Sequence, residues 1–327
     1  MCIYRNSIFE SEKFLSYSLH TISCIEIPIH ILGAYVIMYK TPKEMKSVKF
    51  SMLNLHFWSA FLDFTYSICV TPYVLIPVAA GYGLGIISIF GILDIWLESY
   101  LSIINIGITG VAILVFFENR YDSLVIGAKR SIYRNYIRAI YFGLNYVLAI
   151  TFLVPSFSQL PDVQVGIQNA REKLSCLPSH VFENPRFFTV AIDISLLANC
   201  IAICTSLIFG QAVSFIIGIV YFFYNSAATS AHTRKLQKQF FASMCIQIAV
   251  PLGVLICPVA YILFAFWFDY FNMALNNLAF IFIAIHGLCS TTVMLIVHKP
   301  YRKATYEIFV KQKTTKRTTT SFVTLTP

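Results

Sequence analysis

The sequence predicts an all-α membrane protein, a bundle of seven transmembrane helices with the N-terminus outside and the C-terminus inside the cell. Three observations predict this fold: the apolar composition, the spacing of the apolar stretches and the one-sided placement of basic residues. Of the 327 residues, 57% are hydrophobic and only 12% are charged, with a mean hydropathy of +0.71. Because soluble domains carry about 25% charged residues, much of this chain must face lipid.

The apolar stretches between charged residues place the seven helices. Each crossing of the ~30 Å hydrocarbon core takes about 20 apolar residues. The stretch 50–117 is too long for one crossing, and its glycine cluster at 81–85 predicts a turn that divides it. The predicted helices span about 14–39, 50–78, 88–117, 139–157, 187–224, 240–268 and 270–297. Residues 1–13 are then an extracellular N-terminus, 14–298 the membrane domain and 299–327 a cytoplasmic tail.

Charge decides whether the stretch 187–224 is one long helix or two helices with a turn near Gly210. With one helix, a single side of the membrane collects a charge of +15, and the opposite side collects −1. The positive segments are 40–49, 118–138, 225–239 and 298–327. Cytoplasmic loops are enriched in Lys and Arg, so the one-helix interpretation and the orientation both follow. Because the basic residues fall between apolar runs, the net charge of +9 does not indicate nucleic-acid binding.

Acidic side chains inside the predicted helices are the first candidates for function. A charged group at the bilayer centre costs at least ~2.5 kcal/mol, so such residues are retained for a reason. The acidic residues in question are Glu26, Asp63, Asp94, Glu98 and Asp193. Asp63 lies near the middle of helix 2, where it is either functional or a buried carboxyl bonded to Asn or Ser neighbours.

A ligand-binding face is predicted on helix 3. Asp94 and Glu98 are four residues apart and share a face, with Trp96 and Tyr100 nearby and Asp193 opposite. If that face points into the bundle, it is an acidic, aromatic-edged wall suited to a cationic or hydrogen-bonding small ligand. The alternative is that both acids are hydrated at the helix mouth. No metal-type spacing or catalytic motif appears, so the sequence predicts no metal, no cofactor and no enzymatic activity.

Two further features suggest a moving part near the predicted cytoplasmic side. Pro251 and Pro258 interrupt the hydrogen-bond ladder of helix 6, which gives either a hinge or a static kink. Glu118, Arg120 and Tyr121 follow helix 3. The acid and the guanidinium can pair locally, or Arg120 can change partners, or Arg120 can simply anchor the helix end at the interface.

These features together resemble the nematode serpentine chemoreceptors, specifically the serpentine receptor class H family. The resemblance covers nearly the whole chain up to Arg302. It rests on Pro28, Ile29, His30, Gly33 and Tyr39 to Pro42, on Trp58 to Asp63, on Glu118 to Tyr121, on Thr233 to Gln237 with Phe240, Phe241 and Gln247, on His286, Gly287, Ser290 and Thr291, and on His298 to Arg302. Several spaced motifs in order make the resemblance strong at the family level.

The resemblance implies a multi-pass receptor in the plasma membrane of a sensory neuron, which detects an external small molecule and activates a heterotrimeric G protein. Glu118 and Arg120 then look like a variant of an acid, Arg, Tyr motif with one extra residue between acid and Arg. Cys176 looks like the disulfide cysteine of such receptors. No cysteine lies near the outer end of helix 3, and Cys69 is an alternative partner.

The expected G-protein-facing surface combines Arg120 and Tyr121 with Arg234, Lys235 and Lys238. The expected moving part is helix 6, bending at its two prolines. The tail is expected to open with an amphipathic segment from residue 301 to residue 310 that lies on the inner leaflet. Two other hypotheses are a seven-helix ligand-gated channel and a secondary transporter. The channel is opposed by the inner positive charge, and the transporter by the lack of visible repeats.

Overall fold

The computed structural model describes residues 4–127, 132–225 and 231–308, and within these ranges the chain is mainly helical. The helices are α1 (Glu12–Lys40), α2 (Lys46–Phe64), α3 (Ile86–Phe90), α4 (Ile95–Tyr121), α5 (Ile132–Thr151), α6 (Val154–Phe157), α7 (Val163–Lys173), α8 (Ser179–Phe182), α9 (Ile194–Asn225), α10 (Ala231–Trp267), α11 (Met273–Ala284) and α12 (His286–Val297). Short π-helical segments extend α2 over Thr65–Cys69 and α4 over Asp122–Ile126.

A small antiparallel sheet closes one end of the bundle. Strands β1 (Pro72–Leu75) and β2 (Ala80–Gly83) form a hairpin, and β3 (Phe188–Thr189) pairs with β2. The N-terminal residues lie at this end, which we call the N-terminal end; the opposite end, where residues 299–308 lie, is the tail end. A lid built partly from the 158–193 connection therefore covers the helices at the N-terminal end.

The hairpin corrects the prediction that helix 2 continues to residue 78. The helical part ends at Cys69, and Thr71 adopts a positive φ of 46° before Pro72. A residue before proline is steered away from helical angles, and proline has no N–H to continue the ladder. The prediction of helix 3 from residue 88 is also wrong, because Gly91, in the left-handed conformation, ends the short α3 and α4 starts only at Ile95.

The remaining long helices match the predicted number with different bounds. The fifth segment runs unbroken over Ile194–Asn225, as one helix rather than two. The seventh is broken into α11 and α12, which meet at an angle of 44°. The Asn272 side chain accepts the Leu275 N–H at 3.1 Å and so caps the start of α11. Helix α10 begins at Ala231, nine residues before the predicted start at 240, because polar residues of the connection continue the helix.

The surface of the helices is suited to lipid. Among the described residues, α1, α4, α5 with α6, and α9 are long and apolar enough to cross a membrane, and the α11–α12 pair qualifies as a bent fifth span. Only 17% of the most apolar stretch of α9 is buried within the protein, although that stretch is strongly apolar. Apolar side chains facing outward along helices are what a bilayer requires. Helices α2 and α10 complete the bundle of seven.

Helix α4 lies at the centre of the bundle, where it packs against α2, α5 and α9. Helix α12 packs on the other side, against α1, α2 and α10. After it, residues 299–308 are helical, with Tyr301 buried and Tyr306 67% exposed. The last part of the predicted amphipathic segment, Phe309 and Val310, lies outside the described residues.

Candidate functional site

A cavity of about 220 Å³ lies between α4, α9 and α10, beneath the sheet. Its side walls come from α4 between Ile95 and Ile113, from α9 between Leu197 and Ala212, and from α10 between Leu252 and Phe266. The hairpin and β3 form its roof, and Phe280 of α11 contributes on the fourth side. This partly open, largely apolar space is the strongest candidate for a ligand site.

Glu98 is the predicted ligand-binding residue that lines this cavity. Its side chain is 2% exposed and accepts a hydrogen bond from the Ser88 hydroxyl. The other carboxylate oxygen lies 3.1 Å from the Arg186 guanidinium, which comes from the connection before β3. Arg186 also donates to the Leu93 carbonyl at 3.2 Å. The negative charge is therefore balanced by the protein itself, which the sequence analysis did not foresee.

The other predicted members of the helix 3 face do not line the cavity. Asp94 is the exposed N-cap position of α4, one residue before the helix starts. Trp96 and Tyr100 each lie 200° from Glu98 around the helix and so point away from it. Trp96 is 44% exposed, and the Tyr100 hydroxyl donates to the Ile150 carbonyl of α5 at 2.5 Å. The predicted acidic, aromatic-edged wall is not formed.

Asp193 does not face Glu98 across the cavity. It is exposed just before α9 and accepts hydrogen bonds from the Ser195 N–H at 3.0 Å and the Ser195 hydroxyl at 2.7 Å. These bonds lower the pKa of the Asp193 carboxyl, because they favour its charged form. Asp193 thus stabilises the start of a helix, a local role that explains an acid at this position.

Several hydrogen bonds fix the sheet over the cavity. The Asn276 amide of α11 donates to the Val74 and Ile76 carbonyls at 3.3 and 3.1 Å. The Tyr73 hydroxyl donates to the Glu10 carbonyl at 2.9 Å. On β2, the Tyr82 hydroxyl donates to the Glu12 carboxylate at 2.6 Å, and burial together with this bond raises the Tyr82 pKa. The lid is therefore tied to both α1 and α11.

The Asp63 carboxylate stabilises the break between α11 and α12 in the seventh span. Its carboxylate, 0% exposed, accepts the N–H groups of Gly287 at 2.8 Å and Leu288 at 2.6 Å. These are free donors at the start of α12, so a side chain of α2 caps a helix from across the bundle. His30 of α1 lies 3.2 Å from the same carboxylate and 3.2 Å from the Thr291 hydroxyl. The partners of Asp63 are thus amides and a histidine, not the Asn or Ser neighbours considered from the sequence.

At the tail end, Glu118 does not pair with Arg120. Glu118 instead forms a forked ion pair with Arg138 of α5, at 2.7 to 3.0 Å. Arg138 also lies 3.0 Å from Asp122, which Arg134 contacts at 2.5 Å. Two acids of α4 and two arginines of α5 therefore connect these helices. The local pairing is absent because a guanidinium from the neighbouring helix reaches the Glu118 carboxylate with the geometry of a bidentate pair.

Arg120 is buried, with 4% exposure, and its guanidinium lies 5.7 Å from the Phe116 ring centre. It interacts electrostatically with Tyr301 and His298 at the end of the seventh span. The Tyr301 hydroxyl is also 3.0 Å from the Thr41 hydroxyl. Arg120 therefore links α4 to the segment after α12. In this conformation Arg120 is not on the surface, so its place on a partner-facing surface stays a prediction that requires another arrangement of the helices.

The other predicted coupling residues are placed only in part. Tyr121 is half-buried, with its ring 5.5 Å from that of Phe215 on α9. Lys235 is exposed on α10, and Pro258 is buried within it. The side chains of Arg234, Lys238 and Pro251 lie outside the described residues. Pro258 lies directly before the cavity-lining Val259, which places one proline at the level of the cavity.

Cys176 is disulfide-bonded, and Cys69 is a free thiol. The alternative pairing of Cys176 with Cys69 is therefore wrong, and the partner of Cys176 lies outside the described residues. Among the described side chains, no group of three or more His, Cys, Asp and Glu residues is arranged to hold a metal ion.

Arg186, Arg138 and His30 are the residues that the sequence analysis missed. Each pairs with an acid more than 19 positions away in the chain. The pairs are Arg186 with Glu98, Arg138 with Glu118 and His30 with Asp63. No local spacing reveals such a pair. The available signal was that an acid buried at hydrocarbon depth needs a partner, which indicates that a partner exists and leaves its identity open.

Two comparisons place this architecture among known proteins. The model of the Srh family, serpentine-type seven-transmembrane G-protein-coupled chemoreceptors, matches residues 10–311. Serpentine receptor class H-72 of Caenorhabditis elegans is 26% identical over 314 residues, which cover 93% of this chain and 88% of that protein.

Proposed function

The chain belongs to the Srh family of serpentine seven-transmembrane chemoreceptors, and from this premise we propose that it binds an external small molecule in the cavity and activates a heterotrimeric G protein at its tail end. The family supports a chemosensory receptor in a membrane. The ligand, the coupling and the location in the plasma membrane of a sensory neuron are the proposed steps.

The orientation follows from charge. The segments that the sequence predicts on one side of the membrane sum to +15, and those on the other side sum to −1. The described basic residues of the first set, such as Lys46, Arg134 and Lys299, lie at the tail end. Because basic loops remain in the cytoplasm, the tail end faces the cell interior and the cavity lies towards the outside. An external chemical then meets the cavity end first, and a cytoplasmic partner meets the exposed Lys235.

The observation that carries this proposal is that the same helices connect the cavity with the tail end. Helix α4 runs from Glu98 at the cavity to Arg120 at the tail end, and α10 carries Pro258 between its cavity-lining residues Ile256 and Val259. A ligand shifts a two-state equilibrium by its differential affinity for the two states. A ligand that binds more tightly to one bend of α10 therefore favours that bend. Because α10 packs against α12, a change in its bend reaches the segment after α12 that interacts with Arg120.

Nucleotide exchange tests this proposal directly. Receptor in lipid nanodiscs is mixed with purified heterotrimeric G protein, and the rate of GTP analogue uptake is measured for wild type, Arg120→Ala and Lys235→Glu at matched receptor density. Both variants are expected to slow uptake. Lys235 is exposed, so its variant tests the coupling surface without disturbing the core. Normal uptake with both variants contradicts the coupling role.

A further inference from the structure

We infer that the ligand is a neutral, largely apolar molecule of roughly nine non-hydrogen atoms, and that it enters the cavity sideways from the bilayer between α9 and α10. This inference rests on the proposed receptor function and specifies its ligand class and entry route. Four observations support it: the occupied polar groups of the wall, the balanced charge of Glu98, the covered roof and the position of Phe209.

Most polar groups of the cavity wall already have partners, and among the described lining hydroxyl groups Thr205 of α9 is the exception. The Tyr66 hydroxyl donates to the Ser102 carbonyl at 3.1 Å, and the Ser102 hydroxyl donates to the Glu98 carbonyl at 2.7 Å. The Ser99 hydroxyl donates to the Ile95 carbonyl at 2.8 Å. A ligand carbonyl or hydroxyl receives no proton from these groups, and burying it unpaired is costly. The wall therefore favours a ligand with few polar atoms.

Glu98 does not offer its charge to a ligand. Arg186 balances it at 3.1 Å, and the Ser88 hydroxyl donates to its second oxygen. An ammonium group entering the cavity must displace the Arg186 guanidinium or remain without a counter-charge. Both choices are unfavourable because the site is apolar. A neutral molecule has neither cost.

The size of the ligand follows from the volume of about 220 Å³. An engineered apolar cavity of about 150 Å³ in another protein binds benzene. Scaling from the six carbons of benzene gives roughly nine non-hydrogen atoms for this cavity.

The roof separates the cavity from the water at the N-terminal end by two layers of chain. The first layer is the sheet, in which Ala79, Ala80 and Tyr82 are at most 5% exposed. The second layer is α7, which packs closely onto β3: a Cβ added at Gly166 would lie 2.9 Å from the Thr189 side chain. Entry from above requires both layers to open.

The angular positions of three residues around α9 indicate that the cavity opens towards α10. Ile208 faces Gly110 of α4, and Gln211 bonds to Asn145 of α5 at 3.0 Å. At 100° per residue, Gln211 lies about 60° from Ile208 on one side, and Phe209 lies 100° from it on the other. Phe209 thus points away from α5, towards α10. It lines the cavity and is also 42% exposed, so its ring reaches from the cavity to the lipid-facing surface.

Photolabelling in nanodiscs tests both parts of the inference. The probe is a neutral alkyl diazirine of about eight non-hydrogen atoms, and labelled residues are mapped by mass spectrometry. We expect saturable labelling of the cavity-lining parts of α9 and α10. A ketone of equal carbon number should suppress it, and the matching alkylammonium should not. Phe209→Ala should raise the initial labelling rate several-fold and Phe209→Trp should lower it. Ile203→Ala, on the exposed side of α9, is the control and should leave the rate unchanged.

Chain length provides a second measurement. Along a series of neutral ketones, the aqueous concentration that halves labelling should fall about fourfold per added methylene, the equivalent of about 0.8 kcal/mol. This concentration should rise again once the ketone is too long for the cavity. Better competition by the alkylammonium overturns the ligand class. Labelling that no ketone displaces also overturns it, and indicates a resident lipid chain. Equal rates in the two Phe209 variants overturn the entry route. Nucleotide exchange without cavity labelling refutes this inference alone, and cavity labelling without exchange refutes only the proposed function.

Discussion

Replacing Asp63 by alanine should strongly destabilise the seven-helix bundle. The change removes the acceptor for the Gly287 and Leu288 N–H groups; the Gly287 contact is buried and the Leu288 contact is partly buried. One buried unsatisfied donor costs about 1–3 kcal/mol, so two cost about 2–6 kcal/mol. At about 2 °C per kcal/mol for a chain of this size, the melting temperature should fall by roughly 4–12 °C. Asp63→Asn keeps one carbonyl acceptor and should lose about half as much.

The assay is thermal unfolding of the purified receptor with the exposed Cys24 and Cys257 replaced by serine. Unfolding is followed by the reaction of the remaining free thiols, including the buried Cys204, with a fluorogenic maleimide. Gly143→Ala is the matched control, because nothing lies within 4 Å of the added Cβ. Alanine in place of a helical glycine should leave the melting temperature unchanged or raise it slightly. If Asp63→Ala melts at the wild-type temperature while expressing equally, the cross-bundle capping of α12 has no energetic importance.

Three other substitutions test neighbouring parts of the account. Gly287→Ala should destabilise the bundle by about 1–3 kcal/mol of overpacking and so lower the melting temperature, because its Cβ would lie 2.5 Å from the Ser59 carbonyl oxygen and 2.8 Å from the Asp63 carboxylate; a wild-type melting temperature contradicts the close approach of α2 and α12. Arg186→Gln leaves Glu98 without its counter-charge, so alkylammonium ions should gain affinity relative to ketones in a competition assay; an unchanged ratio shows that the pair does not set charge selectivity. Pro258→Ala restores a helix donor and should weaken agonist-stimulated nucleotide exchange more than ligand binding; equal losses in the two assays argue for a static kink.

The sequence predicted the seven helices because each of them is a long apolar run, a property that does not depend on tertiary contacts. It failed at the C-terminal end of helix 2, where apolarity continues through β1 and β2 although the backbone is no longer helical. Pro72 and Pro77 were the local signals for that change. A hairpin that is apolar on both faces looks like a helix in a hydropathy profile.

The candidate site was predictable only at Glu98. A buried acid marks a position of interest, but its partner Arg186 lies 88 residues away, and the pair depends on how the connection before β3 folds back. Trp96 and Tyr100 appeared relevant because they are near in sequence, yet helical geometry turns them towards the opposite face. The direction of a helix face is set by its neighbours, which one sequence does not specify.

The central claim is that a ligand in the cavity between α4, α9 and α10 drives exchange at the tail end. The most direct measurement compares agonist-stimulated nucleotide exchange in wild type, Cys204→Phe and Ile203→Phe, at matched surface density. Cys204 is buried and lines the cavity, so phenylalanine there fills the space that a ligand needs; the adjacent Ile203 is 60% exposed. The account predicts that Cys204→Phe loses the agonist response while Ile203→Phe retains it. An agonist response of wild-type size in Cys204→Phe would contradict the account.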